Sequence, residues 1–169
     1  MTAETPEKPS KVLVVDDNPQ NLELLVEYLQ TLDGVVTLTA RDGVEALDAV
    51  GRDRPDLILL DIMMPRMSGF EVCRKLKTDP QTRDIPIIMV TALNELGDIE
   101  RGVESGTDDF ITKPVNRLEL LRRAENLLRV RHLKTELERT LAYLNSMEPG
   151  ATGATPPAGD APGETDASS

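Results

Sequence analysis

Asp16-Asp17, Asp61, Thr91 and Lys113 are the residues of this sequence whose types and positions could do chemistry together. Each follows or closes a short strand-like run: Val12-Leu13-Val14-Val15 before the paired aspartates, Leu57-Ile58-Leu59-Leu60 before Asp61, Ile87-Ile88-Met89-Val90 before Thr91, and Asp109-Phe110-Ile111-Thr112 before Lys113. Brought to one place, three carboxylates repel one another, and a protein holds such a set usefully around a cation. All-oxygen ligands favour Mg²⁺ or Ca²⁺, and few carboxylates with room for water and phosphate oxygens favour Mg²⁺. A lysine and a hydroxyl on the same rim would bind the remaining oxygens of a tetrahedral anion. Aspartate can carry a covalent phosphoryl group, so an acyl phosphate fits this set, with the cation and Lys113 neutralising charge on the moving phosphoryl. Taken singly, each residue also has a plain structural use. Asp17 or Asn18 could cap the next helix, with Pro19 suited to its first position. Asp61 could open a turn, Thr91 could end a strand, and Lys113 could be a solvated cation.

The elements that must position these residues alternate regularly. Lys11–Val15 reads as a strand and Asn21–Leu32 as a helix with Leu22, Leu25, Val26 and Leu29 on one face. Val35–Ala40 is a second strand candidate, 44–50 a short helix, and Leu57–Leu60 a third strand stopped by Asp61. A helix spans about 70–77, and a fourth strand covers 85–90 and ends at Thr91. A weak helix from about Asn94 to Glu104 is interrupted by Gly97 and Gly102, a short fifth strand covers 109–112, and a long helix begins near Val115. Continuous apolar strands alternating with amphipathic helices predict an α/β fold, a doubly wound five-stranded parallel sheet of the flavodoxin-like kind. In such sheets the ligand crevice lies beyond the carboxyl ends of the strands, which is where the candidate residues fall.

Composition narrows the possibilities. The 169 residues suit one domain plus trailing material, and with only 2% aromatic residues the core must be aliphatic. A net charge of −11 argues against non-specific binding to nucleic acid or to an anionic membrane. The one cysteine, Cys73, excludes an internal disulfide and reads as a buried thiol on an amphipathic helix. No apolar run approaches membrane-spanning length and no leader has a signal-peptide pattern, so the expected location is the cytoplasm.

Four ordered motifs make the chain recognisable: 12–18 (VLVVDDN), 59–71 (LLDIMMPRMSGFE), 90–92 (VTA) and 108–114 (DDFITKP). Together, across about residues 10–130, they resemble the response-regulator receiver family of bacterial two-component signalling, whose fold is CheY-like. The stretches 61–77 and 91–114 are most similar to receivers associated with diguanylate cyclase or hybrid histidine kinase modules. The resemblance implies that Asp61 is the phosphoacceptor, that Asp16 and Asp17 help hold Mg²⁺ with it, and that the backbone carbonyl of Met63 is a further ligand. It implies that Lys113 binds the phosphoryl group and precedes a cis bond to Pro114. Thr91 and Phe110 match the family's switch pair, although Phe110 could equally be plain core. The implied function is a signalling switch, not an enzyme beyond assisting its own phosphoryl transfer and dephosphorylation. It would be phosphorylated by a histidine kinase or phosphotransfer protein and would alter the face formed by its fourth helix, fifth strand and fifth helix (the α4–β5–α5 face, from about residue 94 onward).

Beyond the receiver (11–129), Val130, Leu133, Leu137, Leu141 and Leu144 continue an apolar stripe to about residue 147. A helix from Val115 to Met147 would be ~50 Å long, with a seam suited to a coiled coil and a homodimer, or to docking against a partner helix. A tail folded back on its own domain is the alternative. His132, the one histidine, reads as a solvated helix residue. Residues 1–10 read as a loose leader. Residues 148–169, rich in Pro, Gly, Ala and Thr, read as disordered. Two other functions are open on this fold. A flavin carrier would need a phosphate-cradling loop after strand one, where Asp16-Asp17-Asn18-Pro19 stands. An aspartate-nucleophile phosphohydrolase would need a second Asp two residues after Asp61, where Met63 stands.

Overall fold

The computed structural model describes residues 8–92 and 96–147. Its elements in chain order are β1 (Ser10–Val15), α1 (Pro19–Leu29), β2 (Val35–Ala40), α2 (Gly43–Asp53), β3 (Leu57–Asp61), α3 (Gly69–Thr78), β4 (Ile87–Thr91), α4 (Leu96–Ser105), β5 (Asp109–Thr112) and α5 (Arg117–Met147). The five strands pair in parallel in the order β2-β1-β3-β4-β5, the doubly wound flavodoxin-like sheet that the alternating pattern predicts. The expected leader up to residue 7, the expected helix start at Asn94 and the expected tail from 148 lie outside the described residues.

β3 is the middle strand, and Leu57, Ile58, Leu59 and Leu60 are all at most 1% exposed. Covered on both faces, such a strand is apolar throughout, and each fully buried aliphatic side chain stabilises the fold by about 1.5–3 kcal/mol. Alternate residues divide between two clusters. On one face Leu13, Ile58, Leu60, Ile87 and Met89 pack with Ala46 and Val50 of α2 and with Phe70, Val72, Cys73 and Leu76 of α3. On the other, Val12, Val14, Leu57, Leu59, Ile88 and Ile111 pack with Leu22, Leu25 and Leu29 of α1 and with Leu120 and Ala124 of α5.

The ends of the elements depart from the expected ones for local reasons. One end agrees with the capping reading of the sequence: α1 starts at Pro19, with Asn18 as its cap, its Oδ1 accepting from the amides of Gln20 and Asn21. It stops at Leu29, where the Leu32 amide turns back to the Leu29 carbonyl. α2 is longer than expected, opened by Asp42, whose Oδ1 accepts from the Glu45 amide at 2.8 Å, and closed by Arg54 in the left-handed region at φ 46°. β4 begins at Ile87 and not at Ile85. The preceding Pro86 has no amide to donate, though its carbonyl accepts from Ile58 at 3.0 Å. α4 runs through Gly102 without interruption. α5 begins at Arg117 and not at Val115, because Asn116 Oδ1 caps it through the Glu119 amide at 3.1 Å.

The chain divides into two compact units, one ending at His132 and one beginning at Leu133. In the first, Arg131 of α5 donates to the Asp84 carbonyl at 2.9 Å and pairs with Asp56. In the second, α5 continues to Met147, with Leu133, Leu137, Leu141 and Leu144 exposed. No helix among the described residues is long and apolar enough to cross a membrane. Cys73 is buried, as expected; its thiol donates to the Ser105 carbonyl, and burial pushes its pKa up.

Candidate metal and phosphoacceptor site

The register of the parallel sheet brings the candidate residues to one edge. Val15 lies beside Leu60, Asp61 beside Val90, and Thr91 beside Thr112. The residues at or just past these strand ends are therefore neighbours: Asp16 and Asp17 after β1, Asp61 closing β3, Thr91 closing β4 and Lys113 after β5. One carboxylate oxygen from each of Asp16, Asp17 and Asp61 lies within 4.8 Å of the others. Asp16 and Asp61 are buried, whereas Asp17 is exposed at the mouth.

Lys113 Nζ stands 3.3 Å from Asp16 Oδ2 and 3.5 Å from Asp61 Oδ1. Its own amide donates to the Thr91 carbonyl at 2.7 Å, which ties the lysine to the threonine through the backbone. The Lys113–Pro114 bond is cis. The Thr91 side chain is buried at the end of β4. Phe110 is half-buried on the α2–α3 face of the sheet, and Met63 presents its side chain to solvent at 62% exposure, so any role it has in the site falls to its backbone. The Met63 amide donates to Asp61 Oδ1 at 3.4 Å.

Three carboxylates against one ammonium leave two negative charges on this edge, two of the acids being almost dry. The strain of that arrangement shows at Asp61, which is pushed up from 3.8 to about 6. Burial is the largest cause, followed by the Asp16 carboxylate; Lys113 and the Met63 amide pull the other way. The donor set fits a divalent cation: all donors are oxygen, the excess charge is two, and the exposed Asp17 leaves a side open for water and ligand oxygens.

Two positioning features were not assigned from the sequence. The Asn18 amide donates to Asp16 Oδ1 at 2.9 Å and so orients a carboxylate that would otherwise rotate. Gly69 opens α3 so close to the acceptor strand that a Cβ would lie 2.3 Å from the Asp61 carbonyl oxygen, and its amide donates to the Ile62 carbonyl at 2.9 Å. The motif around Ser68-Gly69 was visible, but the tightness of the loop was not. An open groove of about 570 Å³, lined by Leu22, Val26, Thr39 and Arg41 among others, includes none of the site residues.

Known proteins share both this fold and this motif set. Residues 12–125 match the response regulator receiver domain. The chain therefore belongs to the response regulator receiver family, whose domains serve phosphorylation-dependent signalling. It is 48% identical over 128 residues to the response regulator PleD of Caulobacter vibrioides, a stretch covering 76% of this chain and 28% of PleD. It is 44% identical over 119 residues to the DNA-binding response regulator MtrA of Mycolicibacterium smegmatis, covering 70% of this chain and 50% of MtrA. This chain thus matches half or less of either protein's length. Among solved structures, it is similar to the receiver domain of a signal transduction histidine kinase from Syntrophus aciditrophicus (TM-score 0.67, 40% identity, 71% of this chain and 90% of that one). It is also similar to the receiver domain of a sensor histidine kinase from Pseudomonas aeruginosa, solved with a magnesium ion coordinated in the active site cleft (TM-score 0.66, 32% identity, 71% and 98%).

Proposed function

We propose that Asp61 accepts a phosphoryl group from a phosphohistidine of a histidine kinase or phosphotransfer protein. Asp16, Asp17, Asp61 and the Met63 carbonyl would hold Mg²⁺. The observation that carries this reading is the pairing of two nearly dry acids, Asp16 and Asp61, with a single ammonium within 3.5 Å of both. One acid is the nucleophile and the other sets the charge that a cation must balance.

When bound, the divalent ion supplies charge neutralisation to the phosphoryl oxygens in the transition state. The protein's own residues do the rest. The backbone of the Ile62–Gly69 loop fixes the Asp61 carboxylate, and the Met63 amide orients Oδ1. The other oxygen attacks phosphorus as the P–N bond to the donor imidazole breaks. Lys113 exchanges its contact with Asp61 for one with a phosphoryl oxygen. The added group brings roughly −1.5 to −2 charge and three acceptor oxygens, which draw the Thr91 hydroxyl and leave space behind it for the Phe110 ring. The equilibrium of the α4–β5–α5 face is biased only through such differential contacts.

The reading extends to organisation. The receiver occupies 11–129, and 130–147 form a helical extension. Its exposed Leu133, Leu137, Leu141 and Leu144 suit a parallel or antiparallel second copy of the same helix, making the protein a cytoplasmic homodimer. Acetyl phosphate with Mg²⁺ is expected to add one phosphoryl group to the intact mass of the wild type and none to Asp61→Asn. Equal labelling of the two proteins would remove Asp61 from the acceptor role.

A further inference from the structure

Glycine is a poor residue for a helix interior, yet α2 and α4 each carry one there, Gly51 and Gly102. The two positions differ in what surrounds them. A Cβ at Gly51 would meet nothing within 4 Å, whereas one at Gly102 would lie 2.1 Å from Cζ and 2.4 Å from Cε1 of Phe110. Those distances are far inside van der Waals contact, so the tip of the Phe110 ring rests directly on the bare backbone of α4.

The helix is held where the ring touches it. The Ser105 hydroxyl donates to the Gly102 carbonyl at 2.6 Å, and the Ser105 carbonyl accepts from Cys73 of α3 at 3.4 Å. Next to Gly102, the Arg101 guanidinium stands 4.6 Å over the Phe70 ring of α3. With α4 pinned to α3 in this way, a methyl group at position 102 would displace the ring before it displaced the helix. Phe110 lies beside Met89 of β4, and Thr91 is two residues further along that strand. The ring and the threonine therefore share one face of the sheet.

We propose that Gly102 is a positioning residue for the switch. Its missing side chain is the seat of the Phe110 ring, and the occupancy of that seat couples Thr91 to the α4 surface, where Ile99 and Val103 are exposed. The proposal rests on the proposed roles of Asp61, Thr91 and Phe110 and adds the point on α4 that receives the movement.

The test is a cycle of full-length variants followed by thermal unfolding. Gly51→Ala is expected to raise Tm by a few degrees through helix propensity alone, while Gly102→Ala lowers it by about 4 °C or more. In a Phe110→Ala background, adding Gly102→Ala is expected to raise Tm, so the sign of one substitution reverses with the ring. If Gly102→Ala does not fold alone, rescue by Phe110→Ala carries the same sign, and a double variant that also fails to fold overturns the seat.

A second measurement separates a switch role from a purely structural one. The chain has two phenylalanines, so selective labelling gives NMR signals for Phe110, with Phe70 as the in-chain comparison. Acetyl phosphate and Mg²⁺ are expected to move the Phe110 signals of the wild type. In Gly102→Ala those signals start displaced and no longer respond, although the phosphoryl mass gain persists. A wild-type-like response in Gly102→Ala, or stabilisation by that substitution with Phe110 in place, would overturn the proposal. Absence of a mass gain in the wild type would instead remove the phosphoacceptor reading and leave the thermal cycle to judge the seat.

Discussion

With its carboxyl pushed up to about 6 by burial and by Asp16, Asp61 binds its proton more tightly in the folded chain than in the unfolded one. Stability linked to this group is fully present below 3.8 and is lost as pH rises through about 6. Asp61→Asn, which keeps the shape without the charge, should stabilise the cation-free protein near pH 8 by about 1–3 kcal/mol. That advantage should shrink toward zero near pH 4, where both proteins are neutral at this position. Urea titrations at the two pH values check it, and an advantage independent of pH would contradict a charge-based origin. A second residue-scale expectation concerns Arg66, held at φ 70° in the loop after β3. Left-handed backbone is costly for a side chain with a Cβ, so Arg66→Gly should raise stability by about 0.5–1 kcal/mol in the same assay. At this scale the acids and Lys113 were legible because strand ends are legible, and chemistry narrows what three carboxylates and a lysine can do. Gly69 and Gly102 were not, because the letter is the same whether a glycine spares a turn, admits a neighbour or, like Gly51, does neither.

Between elements, Lys77 does the joining. From α3 its ammonium donates to the carbonyls of Arg83 and Ile85 and to Asp108 Oδ2, and that same carboxylate oxygen accepts from the Ile87 amide. One cation thus gathers the end of α3, the start of β4 and the approach to β5. Lys77→Met keeps the aliphatic stem but leaves those acceptors unpaired, and should cost about 2 kcal/mol of unfolding free energy. Chemical denaturation with an unchanged m-value would confirm a loss of stability, and a cost under about 0.5 kcal/mol would show that water replaces the ammonium freely. The strands were readable almost residue for residue, since β2 and β5 match their expected spans and β3 gains only Asp61. Helix limits were less so. The Asn18 cap was among the readings of the sequence, but the caps of Asp42 and Asn116 were not, and propensity alone misjudges α4, where contacts with Phe110 and α3 carry the helix across Gly102.

For the whole molecule, the exposed stripe on α5 is the feature that one chain alone leaves without a use. If a second copy covers it, replacing Leu137 and Leu144 by Glu should shift the solution mass from dimer to monomer in sedimentation equilibrium while leaving acetyl phosphate labelling of Asp61 intact. A wild type that is already monomeric at high micromolar concentration would rule out the stripe as a dimer seam. The apolar spacing was plain in the sequence; whether a partner covers it is a property of two molecules, which one chain does not encode locally.

The two clusters flanking the sheet are unequal in what they can hear. Phe110 and, by strand alternation, Thr91 belong with the α2–α3 cluster, while α1 and the first turns of α5 back the opposite cluster. On the roles proposed for Thr91 and Phe110, the response to a phosphoryl group starts on the α2–α3 side of the sheet. Conservative repacking beneath Leu25 or Leu120 should then leave the Phe110 response to acetyl phosphate unchanged, whereas repacking around Met89 should alter it.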